Sequence, residues 1–164
     1  MPVHLETENC LLAPITDDDR ENIFSLYTNA QTRAFLGGPV LDKDMLNKQF
    51  DEIQSCTDRL NWSIHLKKDD RFVGMINVHP HHDEAEQEIS YQLSPDHWGK
   101  GFAQETVNCV LSYMAGTKKL RRILAETQKA NIASCKLLEK LGMIPLKTIT
   151  RFGETQIIYK KDLC

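Results

Sequence analysis

The sequence predicts one α/β (α+β) domain over residues 1–164, built on a mixed sheet rather than a doubly wound parallel sheet. Three observations support this prediction. A chain of 164 residues has the length of a single domain. Apolar and polar residues alternate over 60–66 and 88–93, as they do in strands with one buried face. Residues 103–114 instead carry apolar side chains at helical spacing.

Composition and charge exclude several classes of protein. Hydrophobic residues make up 41% of the chain and charged residues 26%, which excludes a disordered or low-complexity chain. The 20 Lys and Arg against 23 Asp and Glu leave a net charge of −3, which disfavours a nucleic-acid partner. No apolar run approaches the ~20 residues that span a bilayer. The first residues lack the basic and apolar segments of a signal peptide, so we expect a cytoplasmic protein without a membrane partner.

The first half of the chain is predicted to contain a strand, two helices and a three-stranded meander. A strand over 11–15 precedes a helix that the pair Thr16 and Asp19 would cap. That helix is predicted to carry Ile23, Leu26, Tyr27 and Ala30. Gly37-Gly38-Pro39 breaks the chain before a second helix, capped by Asp42, with Leu46, Phe50 and Ile53 on one face. The meander follows as strands over 60–66, 71–79 and 88–93.

The second half is predicted to alternate helices with strands and to close with a hairpin. A helix begins at Gly101 and is predicted to stop at Gly116. A strand over 122–127 leads to a short helix that starts at Asn131 and ends at Gly142. The hairpin pairs 143–151 with 155–160. The predicted order is therefore β–α–α–β–β–β–α–β–α–β–β.

The segment 91–105 combines a strand, a loop with Gly99 and Gly101, and the start of the clearest helix. Glycine lets the backbone approach a ligand, and the first N–H groups of a helix favour an anion. These features predict a phosphate cradle, although a plain glycine turn into a helix would have the same sequence. The spacing fits neither the P-loop nor the dinucleotide-binding fingerprint.

Several motifs in this region resemble those of the GNAT N-acetyltransferases, in particular the RimJ/RimL-type ribosomal-protein N-terminal acetyltransferases. The main ones are Tyr91-Gln-Leu-Ser-Pro, Trp98-Gly-Lys-Gly-Phe-Ala-Gln-Glu, Asn131-Ile-Ala-Ser134 and Leu138-Glu-Lys-Leu-Gly142. The opening over 5–14 and the segment Phe35-Leu-Gly-Gly-Pro fit the same group, so the resemblance covers nearly the whole chain. It implies a mostly antiparallel central sheet flanked by helices, acetyl-CoA as co-substrate and no metal.

The resemblance also assigns roles to residues. The implied cofactor-binding residues are Tyr91, Gln92, Leu93, Trp98, Gly99, Lys100, Gly101, Phe102, Ala103, Gln104, Asn131 and Ser134. The implied catalytic residues are Glu88, as general base, and Ser134, which would assist departure of the CoA thiolate. Each role has an alternative interpretation. Glu88 could be a solvated carboxylate, Asn131 a helix cap, and Ser134 a small residue packed at the start of a helix.

Two positions depart from the family pattern. Trp98 occupies a position where the general signature has Gln or Arg, and backbone N–H groups over 100–104 would hold the phosphates there. Leu138 occupies the position where many relatives have the Tyr that protonates the thiolate. The hydroxyl group for that step must come from another residue.

The function implied is direct transfer of an acetyl group to a primary amine, either a protein N-terminal α-amine or a small-molecule amine. The alternative is an inactive member that binds acetyl-CoA as a sensor or partner module, and the net charge disfavours a third reading as an RNA-associated protein. Dimers are common among relatives, so a homodimer stays an open expectation.

Three further features of the sequence lie outside these motifs. The histidine-rich run over 79–84 has metal-ligand residue types, but its proline and loop context favour a plain surface loop, with a polar loop near the acceptor site as the alternative. The basic group of Lys118, Lys119, Arg121 and Arg122 predicts a solvated turn, with contact to the adenosine 3′-phosphate of CoA or to an acidic partner as the alternative. The five scattered cysteines predict free thiols in a reducing compartment.

Overall fold

The computed structural model describes residues 3–83 and 85–163, which form an eight-stranded sheet with helices on both faces. The strands are β1 Leu5–Glu6, β2 Cys10–Pro14, β3 Leu60–Leu66, β4 Phe72–Pro80, β5 Gln87–Leu93, β6 Arg122–Gln128, β7 Ile144–Arg151 and β8 Glu154–Asp162. The helices are α1 Arg20–Tyr27, α2 Lys43–Ser55, α3 Phe102–Gly116 and α4 Ile132–Lys140. Glu84 of the histidine-rich run and Cys164 lie outside the described residues.

The sheet has the order β1-β2-β3-β4-β5-β6-β8-β7. Every neighbouring pair is antiparallel except β5 and β6, which are parallel. The mixed, mostly antiparallel sheet is therefore confirmed, with β1 as a short additional edge strand. No described helix has the length and apolar character that crossing a bilayer requires.

Each face of the sheet has its own apolar core because strand side chains alternate between faces. On one face, α3 and α4 pack through residues such as Val107, Val110 and Leu138 against Ile89 and Leu93 of β5. On the other face, α1 and α2 pack against β4 through a smaller core; its members are Ile23, Leu26, Tyr27, Leu46, Phe50, Ile53 and Met75. Tyr91 lies on the same face as Ile89 and Leu93, towards α3 and α4. The alternate residues of β5 lie on the α1–α2 face; they are Glu88, Ser90 and Gln92.

Most predicted helix boundaries agree with the structure. Asp42 caps α2 by accepting from the Met45 N–H at 3.0 Å, and the capping box of Thr16 and Asp19 is formed. The structure differs at two ends. The first helix stops at Tyr27, which leaves Ala30 in a turn. Gly116 is still helical, and the left-handed residue beyond α3 is Lys119 at φ 56°. The turn out of α3 is therefore later than a glycine stop signal predicts.

Candidate active site

The split between β5 and β6 is the central feature of the site. The two strands pair only at Gln87 with Ile123 and Glu88 with Leu124. Beyond this point β6 continues in register with β8 as far as Gln128, while β5 continues in register with β4 as far as Leu93. The strands therefore diverge towards their carboxyl ends, and the sheet opens beside Tyr91.

A glycine loop and the start of α3 follow directly from the open end of β5. Gly99 and Gly101 have φ values of 73° and 83°, in the left-handed region that favours glycine. A Cβ added at either residue would meet no atom within 4 Å, so the space above both glycines is open. Gly101 is the N-cap of α3 and supplies no side-chain cap, which leaves the first N–H groups of the helix available to an anion. This geometry fits the pyrophosphate of CoA.

Trp98 connects the glycine loop to the end of β5 by a hydrogen bond. Its indole N–H donates to the Leu93 carbonyl at 2.9 Å, although 47% of the residue surface is exposed. The Thr32 hydroxyl donates to the same carbonyl at 3.4 Å. The end of β5 is thus tied both to the glycine loop and to the segment between α1 and α2.

Asn131 and Ser134 lie at the start of α4, beside the split. The Asn131 side-chain oxygen accepts from the Ser134 N–H at 3.2 Å, which is a standard N-cap. Within the described part of the chain the Asn131 amide nitrogen has no hydrogen-bond partner, so it is available to a ligand. The cap and a cofactor contact are therefore compatible.

The hydroxyl of Ser134 pairs with the hydroxyl of Tyr91. The two oxygens are 2.9 Å apart and link α4 to β5. Burial raises the pKa of Tyr91, and the hydrogen bond with Ser134 offsets part of that rise. Tyr91 therefore stays protonated at neutral pH and can donate. Sequence reasoning selected Tyr91 for its backbone position and missed its side chain, although a Tyr in the strand before the loop was visible.

Glu88 lies at the closed end of the split, on the opposite face of β5 from Tyr91. It is 7% exposed, and the backbone N–H of Glu126 on β6 lies near its carboxylate. Desolvation raises the pKa of Glu88 to about 7, because burial disfavours the charged form and the nearby Glu126 adds repulsion. The guanidinium of Arg151 acts in the opposite direction. The solvated-carboxylate interpretation of Glu88 does not fit this environment.

A chain of charged residues surrounds Glu88, and sequence reasoning did not find most of it. The fully buried ring of His81 lies with Nε2 2.7 Å from Glu126 Oε1 and 4.0 Å from Glu88 Oε1. Its Nδ1 accepts from the Asp83 N–H at 3.1 Å, so the neutral ring carries its proton on Nε2 and donates it to Glu126. Arg151 Nε donates to Glu126 Oε2 at 2.7 Å and the same guanidinium pairs with Asp83. The sequence did carry one signal for Glu126, because a carboxylate within the largely apolar strand over 123–127 indicates a functional or paired residue.

The histidine-rich run, the basic group and the cysteines lie outside this cluster. Among residues 3–83 and 85–163, no cluster of metal-ligating side chains is present, and His79 and His81 point to different partners. Arg122 of the basic group pairs with Asp162 at 2.8 Å and Glu86 at 3.7 Å. It begins β6, at the end of the strands away from the glycine loop, so a contact with a CoA phosphate is not its role. Four described cysteines are free: Cys10, Cys56, Cys109 and Cys135.

Comparison with known proteins identifies the family of this chain. The family model for the acetyltransferase (GNAT) domain matches residues 9–144. YoaA of Bacillus subtilis (strain 168), described as an uncharacterized N-acetyltransferase, is 31% identical over 147 residues, which are 84% of this chain and 81% of that protein. A GNAT-family acetyltransferase structure from Bacillus anthracis superposes with a TM-score of 0.83 at 22% identity, covering 98% of both chains. Spermidine N-acetyltransferase from Vibrio cholerae, solved with CoA and spermine, superposes with a TM-score of 0.80 at 17% identity, covering 94% of this chain and 95% of that one. The chain belongs to the GNAT acetyltransferase family and is an acetyl-CoA-dependent N-acetyltransferase.

Proposed function

We propose that the enzyme transfers the acetyl group directly to a primary amine, with both substrates bound in the split between β5 and β6. The observation that supports this most strongly is the placement of a base and an acid on opposite faces of one strand. Glu88 faces α1 and α2, whereas the Tyr91–Ser134 pair faces α3 and α4. Two substrates that enter from opposite faces would meet between these groups.

The cofactor side is built from the glycine loop and the start of α4. N–H groups over 100–104 would hold the pyrophosphate, and the Asn131 amide would bind the pantetheine arm as it lies along the open edge of β5. Trp98 would support this loop through its bond to Leu93. Backbone N–H groups at the end of β5, over 91–93, would polarise the thioester carbonyl as negative charge develops on its oxygen.

The proton transfers balance as follows. The neutral amine attacks the thioester carbonyl carbon, the C–N bond forms, and the C–S bond breaks. Glu88 accepts the proton that the amine nitrogen loses, directly or through one water molecule. Tyr91, with Ser134 as its hydrogen-bond partner, donates a proton to the departing sulfur. The pair thereby supplies the hydroxyl that Leu138 cannot supply.

The acceptor is proposed to be a protein N-terminal α-amine, as in RimJ/RimL-type enzymes, or a small-molecule amine. An α-amino group has a pKa of about 8, so a carboxylate with a pKa of about 7 is basic enough to assist its deprotonation. The free thiols support our proposal that the reaction takes place in a reducing compartment such as the cytoplasm.

The test is acetyl transfer by the purified protein, measured by mass spectrometry of the acetylated acceptor together with release of the CoA thiol. A panel of N-terminal peptides, amino acids and polyamines covers the acceptor classes. We expect stoichiometric thiol and acetyl-amine with at least one class. Thiol release without any acetylated amine, or tight acetyl-CoA binding without turnover, would instead favour a hydrolase or a binding module.

A further inference from the structure

A row of three residues crosses the α1–α2 face of the sheet at the proposed acceptor site. His79 of β4 lies directly opposite Glu88 of β5. Arg59 immediately precedes β3, whose first residue, Leu60, pairs with Val78. Continuing that register by one residue places Arg59 next to His79, and Arg59 does act electrostatically on the His79 ring. The backbones of Arg59 and Glu88 are therefore about 10 Å apart, two strand spacings.

His79 does not supply charge in this row. Its Nδ1 lies 3.0 Å from the Pro80 carbonyl, which can only accept, so Nδ1 carries the ring proton. The Nε2 atom then accepts from the Ser90 hydroxyl at 3.3 Å. Burial and the neighbouring Arg59 lower the pKa of His79, so the ring is neutral at neutral pH. The row thus has a carboxylate at one end and a guanidinium at the other.

A second arginine reaches the same region from the segment between α1 and α2. The guanidinium of the partly buried Arg33 lies 5.9 Å from the centre of the Tyr27 ring. Its Nε donates to the Gly38 carbonyl at 2.9 Å, and its two terminal nitrogens have no hydrogen-bond partner among residues 3–83 and 85–163. Burial raises the pKa of Tyr27, and the charges of Arg33 and Arg59 both oppose that rise, so both cations lie in the neighbourhood of this residue.

These two arginines lack counter-charges. Over residues 3–83 and 85–163, neither Arg33 nor Arg59 forms an ion pair with a carboxylate, whereas Arg20, Arg71, Arg122 and Arg151 all do. Arg59 is exposed to solvent, whereas the guanidinium of Arg33 is partly buried and is unfavourable without an anion unless a ligand supplies one. Their position on the α1–α2 face is opposite the Tyr91–Ser134 pair, so a substrate on the acceptor side is the available source.

We propose that the acceptor is a primary amine that also carries a carboxylate, with Arg59 and Arg33 binding the carboxylate while the amino group faces Glu88. The inference rests on the acetyl transfer proposed above and specifies its substrate class. A free amino-carboxylic acid and a peptide N-terminus followed by an acidic residue share this chemistry. A polyamine does not, because its second charge would face two guanidinium groups.

The experiment compares matched acceptors that differ only in charge. One set is a series of amino-carboxylic acids of increasing chain length, each with its carboxamide. The second set is tripeptides with Glu at position 2, each with its Gln counterpart. We expect kcat/KM to favour the carboxylate by about 10- to 100-fold in at least one set, chiefly through KM, as for a charge-assisted bond. The set that shows the preference identifies the source of the carboxylate.

Substitutions of Arg59 and Arg33 test whether these residues cause the preference for a carboxylate. Arg59→Gln should reduce the ratio of kcat/KM between carboxylate and carboxamide towards 1, and Arg33→Gln should act in the same direction. Arg59→Glu should reverse the ratio and favour a diamine. Arg71→Gln is the matched control, because Arg71 is exposed in the turn between β3 and β4 and pairs with Asp69. It should leave the ratio as in the wild type.

The outcomes separate this inference from the proposed function. Equal turnover of carboxylates and carboxamides, or the highest kcat/KM with spermidine, would overturn the substrate class and leave acetyl transfer intact. An unchanged ratio in Arg59→Gln and Arg33→Gln would overturn the assignment of the carboxylate site. Absence of acetylated product with every amine would overturn both.

Discussion

The Tyr91 hydroxyl lies 2.9 Å from the Ser134 hydroxyl, and this hydrogen bond joins β5 to α4 where the sheet opens. One group comes from a strand residue and the other from the first turn of a helix 43 residues later. Either oxygen can donate, so the pair can pass a proton towards a sulfur atom while both residues keep a hydrogen-bond partner.

Removal of this pair should slow the chemical step more than it weakens binding. Tyr91→Phe removes the acidic proton, and we expect kcat to fall by about 100-fold or more, with a smaller loss for Ser134→Ala. The dissociation constant for acetyl-CoA should change little, because negative charge develops on sulfur only during the reaction. Stopped-flow kinetics and calorimetry measure the two quantities. Tyr113→Phe, whose ring packs on Trp62, is the control, and wild-type kcat in Tyr91→Phe would exclude the role.

Glu88→Gln should abolish the decline in rate near pH 7 that protonation of Glu88 causes, and leave only the decline caused by protonation of the amine. With a Glu88 pKa of about 7, the wild-type rate should decline as pH falls through 7, because the base becomes protonated. The Gln variant keeps the shape of the side chain but cannot accept the proton. Its kcat should be about 10²–10⁴ lower at neutral pH and should recover as the amine itself deprotonates at high pH. A variant with the wild-type profile would exclude Glu88 as the base.

The same substitution should stabilise the fold at alkaline pH. The folded-state pKa of Glu88 is raised above its ordinary value of 4.5, so the folded protein holds a proton that the unfolded chain releases. The free energy of unfolding therefore decreases as pH rises from about 4.5 to 7. We expect Glu88→Gln to be more stable than the wild type by about 1–3 kcal/mol at pH 8, and equal to it near pH 4. Thermal melts at the two pH values measure this difference, and equal stability at pH 8 would contradict it.

Arg151 should lower the working pH of Glu88 by direct attraction between its guanidinium and the carboxylate. Arg151 lowers the pKa of Glu88, so Arg151→Gln should raise it and move the acid limb of the pH–rate profile to higher pH. The substitution also leaves the 10%-exposed Glu126 side chain without its guanidinium, at a cost of about 3 kcal/mol in stability. Arg151→Lys keeps the positive charge and should restore most of the profile. Arg122→Gln breaks an exposed pair with Asp162 and is the control.

Gly101→Ala should weaken acetyl-CoA binding. At φ 83° an L-residue is strained, and the new methyl group would lie in the open space above the loop. We expect the dissociation constant to rise about tenfold or more, measured by calorimetry on the folded variant. Gly116→Ala is the matched control, because Gly116 is helical and a Cβ there meets nothing within 4 Å. It should gain about 0.5–1 kcal/mol of stability and bind normally, and equal affinities in both variants would refute the cradle.

Local sequence signals determined the elements and the cofactor loop. Alternation placed β3 and β5, Asp42 and Asn131 capped their helices as predicted, and Gly99 with Gly101 marked the loop before α3. These features depend on neighbours within a few residues, so their physical causes are readable along the chain. The exception at Gly116 has the same basis: a glycine permits a helix stop but does not require one, and the chain turned at Lys119.

Only the tertiary structure decided how the chemistry is assembled. The base was predicted at Glu88, but its environment depends on His81, Glu126 and Arg151, which come from a loop and two strands distant in sequence. The acid was assigned to Ser134 alone, because nothing local indicates that the Tyr91 ring reaches it. Desolvation and charge–charge coupling act through space over a few ångströms, and the order of strands in the sheet sets those distances. The sequence therefore determined the identity of the elements, and the divergence of β5 from β6 determined which side chains meet between them.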